Sequence, residues 1–175
     1  MDGVALAAVV SSGLVGLGGL GLSFRTQQQA AKLAREQRTQ LRLEKAYLEV
    51  LQFAQLEGSW VYHSHRNLKL AIEDEYEAFT RAHVDRPSID RRASAAALLG
   101  VLGSTACQDA FRAWSKSVGE YERQRDIAFW NRDNDGGDPF QAPAVADVEL
   151  MGDRAKDEAT ARRALAAVMA QELAS

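Results

Sequence analysis

Apolar and polar residues divide this chain into three stretches of different period. Gly3 to Phe24 carries no charged side chain over 22 residues. Thr26 to Gln40 is polar nearly all round. From Leu43 onward, apolar residues recur at three- and four-residue spacing, the period of a helix with one buried face. The first such seam runs Leu43, Tyr47, Val50, Ala54, then Val61, His65, Leu68, Ile72, Tyr76, Phe79 and His83. It keeps phase across Glu57-Gly58-Ser59, so one long helix from Arg25 to His83 is predicted. A reverse turn at Gly58-Ser59 is the alternative.

The next break is Val84-Asp85-Arg86-Pro87-Ser88. Proline biases Arg86 away from helical angles, and Ser88 or Asp85 can cap the next helix. An Ala-rich helix is predicted from Ile89 to Leu102, ended by Gly103. Ser104-Thr105 starts another, with Thr105 and Gln108 spaced as a capping box. That helix has the cleanest stripe, Cys107, Phe111, Trp114, Val118, Tyr121 and Ala128, and should be the central core element, ending near Trp130. Asn131 to Pro143 reads as loop. A last helix from Ala144 to Leu173 has a seam of Val148, Gly152, Ala155, Ala159, Ala166, Met169 and Leu173, mostly small residues. Runs of alternating β-branched and aromatic residues are missing. The prediction is an all-α chain: an N-terminal hydrophobic transmembrane helix (1–24), a long charged stalk helix (25–42) and an antiparallel bundle of about four helices (43–175).

The apolar start is long enough to span. At about 1.5 Å per residue it reaches roughly 33 Å, against a hydrocarbon core of about 30 Å. Ten of its residues are Leu, Val or Phe, offset by six glycines and three serines, which makes insertion marginal. A cleaved signal peptide would want a basic start and an Ala-x-Ala site, and neither Met1-Asp2 nor the GLGLSF end supplies them. A buried core helix is the other soluble reading. Arg25, Lys32, Arg35 and Arg38 come directly after the span, so the predicted location is a single-pass protein of the cell membrane, N-terminus outside and body in the cytoplasm. Ala8, Ser12, Gly16 and Gly19 lie on one side of the span and would let another helix approach closely, which points to a homo-oligomer. The literal G-x-G-x-x-G at Gly16-Leu17-Gly18-Gly19-Leu20-Gly21 lacks the strand–helix alternation a dinucleotide site needs.

Composition narrows the function classes. With 21 basic against 24 acidic residues the net charge is -3, which does not favour nucleic acid. The single cysteine, Cys107, cannot form an internal disulfide. Asn131-Arg132-Asp133-Asn134-Asp135-Gly136 begins like a calcium loop, but position 12 is Ala142, not the bidentate glutamate such loops require. His63 and His65 point to different sides of a helix, and His65 and His83 are better read as seam residues making a hydrogen bond. Glu73, Asp74, Glu75 and Glu77 read as a solvated face, and Arg91-Arg92 and Arg162-Arg163 are too short for nucleic-acid patches. Tyr47, Trp60, Trp114 and Trp130 fall on or near the seams, so packing explains them. No catalytic residue, cofactor or metal is expected, and the chain is not expected to be an enzyme.

Arg42-Leu43-Glu44-Lys45-Ala46-Tyr47-Leu48-Glu49-Val50-Leu51 and Leu98-Leu99-Gly100-Val101-Leu102-Gly103-Ser104, with the whole-chain layout, resemble a diffuse group of uncharacterised actinobacterial membrane-anchored helical-bundle proteins. The resemblance implies architecture and no activity. The function expected is a single-span membrane-anchored scaffold or protein-interaction module, with the lipid bilayer, an unidentified protein and a second copy as partners. The same residues leave two alternatives. One is a holin-like or defence-type effector that oligomerises through its glycine-rich helix; the other is a soluble regulatory bundle.

Overall fold

A computed structural model describes residues 3–73, 86–134 and 142–174, with side chains for 27–72, 86–134 and 142–174. All regular structure among these residues is helical: α1 (Gly3–Glu73), α2 (Ile89–Leu102), α3 (Thr105–Asn134) and α4 (Val145–Leu173). Two compact units are distinguished, Met1–Arg42 and Leu43–Ser175.

In the first unit every described side chain, residues 27–42, is exposed. Leu33 and Leu41 are among them, and the local contacts are those of a solvated helix: Lys32 pairs with Glu36 at 3.9 Å and the Thr39 hydroxyl donates to the Arg35 carbonyl. Such exposed pairs contribute a few tenths of a kcal/mol at most.

The second unit is a helical bundle whose topology can be read from contacts. Phe53 meets Trp114 edge-on, ring centroids 5.7 Å apart, and Trp60 meets Tyr121 in the same way at 5.7 Å. Residue numbers rise together along both helices, so α1 and α3 are parallel. Helix α4 runs against them: Glu172 lies beside Tyr47 and Cys107, Glu158 beside Trp114, and Asp147 beside Asn131. Helix α2 runs against α3, with Gln108 near Leu99 and Glu122 near Arg92. The four are arranged up-down-up-down, with α1 and α3 on the diagonal.

Within this unit α1 passes through Glu57-Gly58-Ser59 without a break. The predicted α3 stripe is buried at all six positions. Its Trp114 is 0 % exposed and centres one core cluster with Tyr47, Phe53, Leu99 and Phe111; Trp60, Tyr121 and Met151 centre a second. Burying an aromatic or large aliphatic side chain contributes about 1.5–3 kcal/mol each.

Four local expectations are corrected. Helix α3 runs past Trp130 to Asn134, whose side-chain amide donates to the Trp130 carbonyl at 2.8 Å and closes the last turn. The cap of α3 is Ser104, not Thr105: its hydroxyl accepts from Cys107 N–H, while Gln108 turns back to the carbonyls of Leu99 and Gly103 and ties the two helices' ends together. In α4 the buried positions include Met151, Glu158 and Leu165, whereas Ala159 and Ala166 are only half-buried. Trp130 is 65 % exposed and lies beside exposed Ile127, outside the core. Tyr76, Phe79, His83 and the acidic run after Glu73 lie outside the described residues.

Candidate functional site

Three carboxylates hold the bundle's polar interior. The first is Glu57 on α1, 1 % exposed. Arg92 of α2 donates to it at 3.0 Å and to Glu122 of α3 at 3.1 Å, and Arg86 also bonds Glu122. Burial pushes the Glu57 carboxyl above the usual range, and Arg92 and Arg86 only partly oppose this. Arg86 and Arg125 also lie over the Trp60 ring, at 5.3 and 5.1 Å from its centroid. The second is Glu158 on α4, also 1 % exposed, which accepts from the Trp114 indole N–H at 2.8 Å and from Arg162 at 3.0 Å.

The third is Glu172, at the end of α4. One of its oxygens accepts from the Tyr47 hydroxyl at 2.6 Å, the Cys107 thiol at 2.7 Å and the Ser104 hydroxyl at 2.9 Å. Burial alone would raise its pKa, but these donors outweigh it and hold the carboxyl below the usual range. The Cys107 thiol moves the other way, pushed up by burial and by its bond to Glu172. A thiol held protonated and buried is a packing group, in keeping with its place on the stripe.

Along the other side of α1, two glycines shape its contact with α4. A Cβ on Gly58 would collide with Nε of Arg162, which lies across the helix backbone there. Gln55 accepts a second bond from the same guanidinium at 2.5 Å. The relation is reciprocated two turns on. A Cβ on Gly152 of α4 would fall 2.8 Å from Nε2 of His65 on α1. His65 bonds the Val148 backbone, and burial keeps its pKa below the ordinary value despite that bond. Each helix therefore has a notch that receives a polar side chain of the other.

Between the notches lies a groove of about 520 Å³, floored by Gly58, Gly152, Ala155 and Ala159 and walled by Tyr62. A second depression of about 580 Å³ adjoins it at His65, Gly152 and Lys156 and extends toward Val145. This α1–α4 groove is the candidate functional site. The charged side chains along its first half are the Arg162 guanidinium, the Lys156 ammonium and the buried Glu158, and Gln55, Ser59 and His63 add further polar groups.

The chain matches no known protein family, no curated protein and no solved structure.

Of the residues singled out in the sequence, Ala8, Ser12, Gly16, Gly19 and Arg25 have side chains outside those described. Lys32, Arg35 and Arg38 are exposed in the first unit and are not part of the groove. The candidate calcium loop begins inside α3, where the Asn131 amide is bonded to Asp147 at 3.3 Å; its remainder, 135–141, is outside the described residues. Among the described residues no three His, Cys, Asp or Glu side chains are grouped to share a metal ion, and no helix is long and apolar enough to cross a membrane. The Gly3–Phe24 side chains lie outside that statement. Sequence reasoning missed Glu57, Glu158, Arg162 and the notch role of both glycines. The available signal was the seam's unbroken phase through Gly58.

Proposed function

We propose that this protein is a membrane-tethered helical interaction module. In this reading Gly3–Phe24 inserts in the bilayer, Arg25, Lys32, Arg35 and Arg38 keep the stalk and bundle in the cytoplasm, and the bundle offers a docking face to another helix. The observation that carries the interaction part is the outward face of α2. Beyond Arg92, each exposed residue of that helix is uncharged: Ala93, Ser94, Ala96, Ala97, Gly100 and Val101, the last 82 % exposed. A helix at the edge of a self-sufficient bundle turns charges outward. This one turns a small, apolar surface outward, of the kind that lets a second helix come close.

The test has two parts. Carbonate extraction of membranes should leave the full chain in the pellet; recovery in the supernatant ends the tether. A photo-crosslinking amino acid in place of Val101 should trap a discrete adduct in cells, and Gly100→Lys, which meets open space in the fold, should abolish it without lowering the melting temperature. If no adduct forms while the protein stays in the pellet, the interaction part fails alone.

A further inference from the structure

We propose that the α1–α4 groove is a binding site for a small amphipathic carboxylate, its acid group at Arg162 and Lys156 and its apolar body along Gly58, Ala155 and Ala159. Three features argue for that chemistry. The first is size and shape. A volume of about 520 Å³ lies within the range of about 300–1,000 Å³ that holds small organic ligands, and glycine and alanine make the floor shallow and apolar. Exposed Tyr62 gives the body an aromatic edge to lie against.

The second is the imbalance of hydrogen-bonding groups. Arg162 and Lys156 can only donate. The one carboxylate lining this half, Glu158, is 1 % exposed and is capped by Trp114 and Arg162, so it turns no free charge toward the groove. His65 spends a ring N–H on the Val148 backbone, and burial disfavours its charged form. A carboxylate brings both acceptors and a countercharge to the two cations, Arg162 and Lys156; a neutral ligand brings no countercharge and a cationic one is repelled.

The third is preorganisation. Glu158 and Gln55 fix the Arg162 guanidinium before any ligand arrives, and Gly58 leaves the space it lies in. A fixed planar donor loses little freedom on meeting a carboxylate. Lys156 makes an exposed pair with Asp153 at 2.8 Å, which a ligand can replace at small cost. The adjoining depression sets Glu149 and Asp153 against Lys69 and Lys156 and is balanced, whereas the Arg162 half has two cations, Arg162 and Lys156, against the one carboxylate of Glu158.

Binding in this groove does not depend on the membrane reading. It is tested with the full chain in lipid nanodiscs, titrated calorimetrically with 4-phenylbutanoate, with empty nanodiscs as blank and 4-phenylbutanol as the uncharged counterpart. Saturable one-to-one binding of the acid is expected, with the alcohol about tenfold weaker or worse. Lys156→Glu, at an exposed position, should weaken the acid by about tenfold and leave melting unchanged. Ala159→Leu should fill the groove and weaken acid and alcohol together. Equal affinity for acid and alcohol, binding untouched by either variant, or no saturable heat up to about 5 mM acid overturns the proposal.

Discussion

Two glycines in the interiors of helices carry opposite predictions. Gly100 in α2 faces open space, with no atom within 4 Å of a built Cβ. Gly100→Ala should stabilise the bundle by about 0.5–1 kcal/mol, the usual gain in helix propensity and unfolded-state entropy. Gly58→Ala makes the same gain in propensity, but its methyl group evicts the Arg162 guanidinium. That removes one of the two donors from a carboxylate that is almost fully buried. Loss of a bond to a buried charge costs about 1.5–3 kcal/mol, so the net change should be a loss of about 1–2 kcal/mol. Thermal melts of the two variants side by side check the sign; stabilisation by both would mean that Arg162 finds an equally good position elsewhere. Composition alone treats these residues alike. What separates them is a side chain more than a hundred positions away, and no local pattern carries that information.

At the scale of the helices, legibility followed the contrast between apolar and polar residues. Helix α3 has apolar residues at Cys107, Phe111, Trp114, Val118 and Tyr121 among charged neighbours, and each of these is buried. Helix α4 has alanine on every side, so its period is nearly degenerate, and a glutamate counts against burial in any such reading. Glu158 is buried because Trp114 and Arg162 supply donors from neighbouring turns and helices. The same reasoning explains Glu57. The ends of elements were harder still: the last turn of α3 is polar and is closed by Asn134, a residue equally at home in a loop. The end of α4 gives a test of how its carboxylate anchors the element. Tyr47→Phe keeps the packing and removes one of the donors to Glu172, and should lower stability by about 1–2 kcal/mol in chemical denaturation. An unchanged midpoint would show that the Cys107 and Ser104 bonds suffice.

For the molecule as a whole, the titrating groups give a pH profile with an assignable order. His65 has a folded-state pKa below its ordinary 6.5, so the unfolded chain takes up a proton first. Its contribution is present above about pH 6.5 and is lost as pH falls toward the folded value. Glu172, held below 4.5, acts in the same direction at lower pH, where protonation weakens its bonds. Glu57 is opposite in sign: its raised pKa favours the folded state in acid and counts against it once the group ionises. His65 should therefore contribute a descent in melting temperature that begins just below neutrality and that Glu57 partly offsets, and His65→Gln should remove that contribution while leaving the descent below about pH 4.5 in place. An identical profile in both proteins would remove His65 from the account. The reciprocal notches also have a consequence over evolutionary time. Because Gly58 fits Arg162 and Gly152 fits His65, neither member of a pair can be replaced freely while the other stays. Among descendants of this sequence, position 58 should drift only together with 162, and 152 only together with 65, so the register of the two helices would be inherited as two linked pairs.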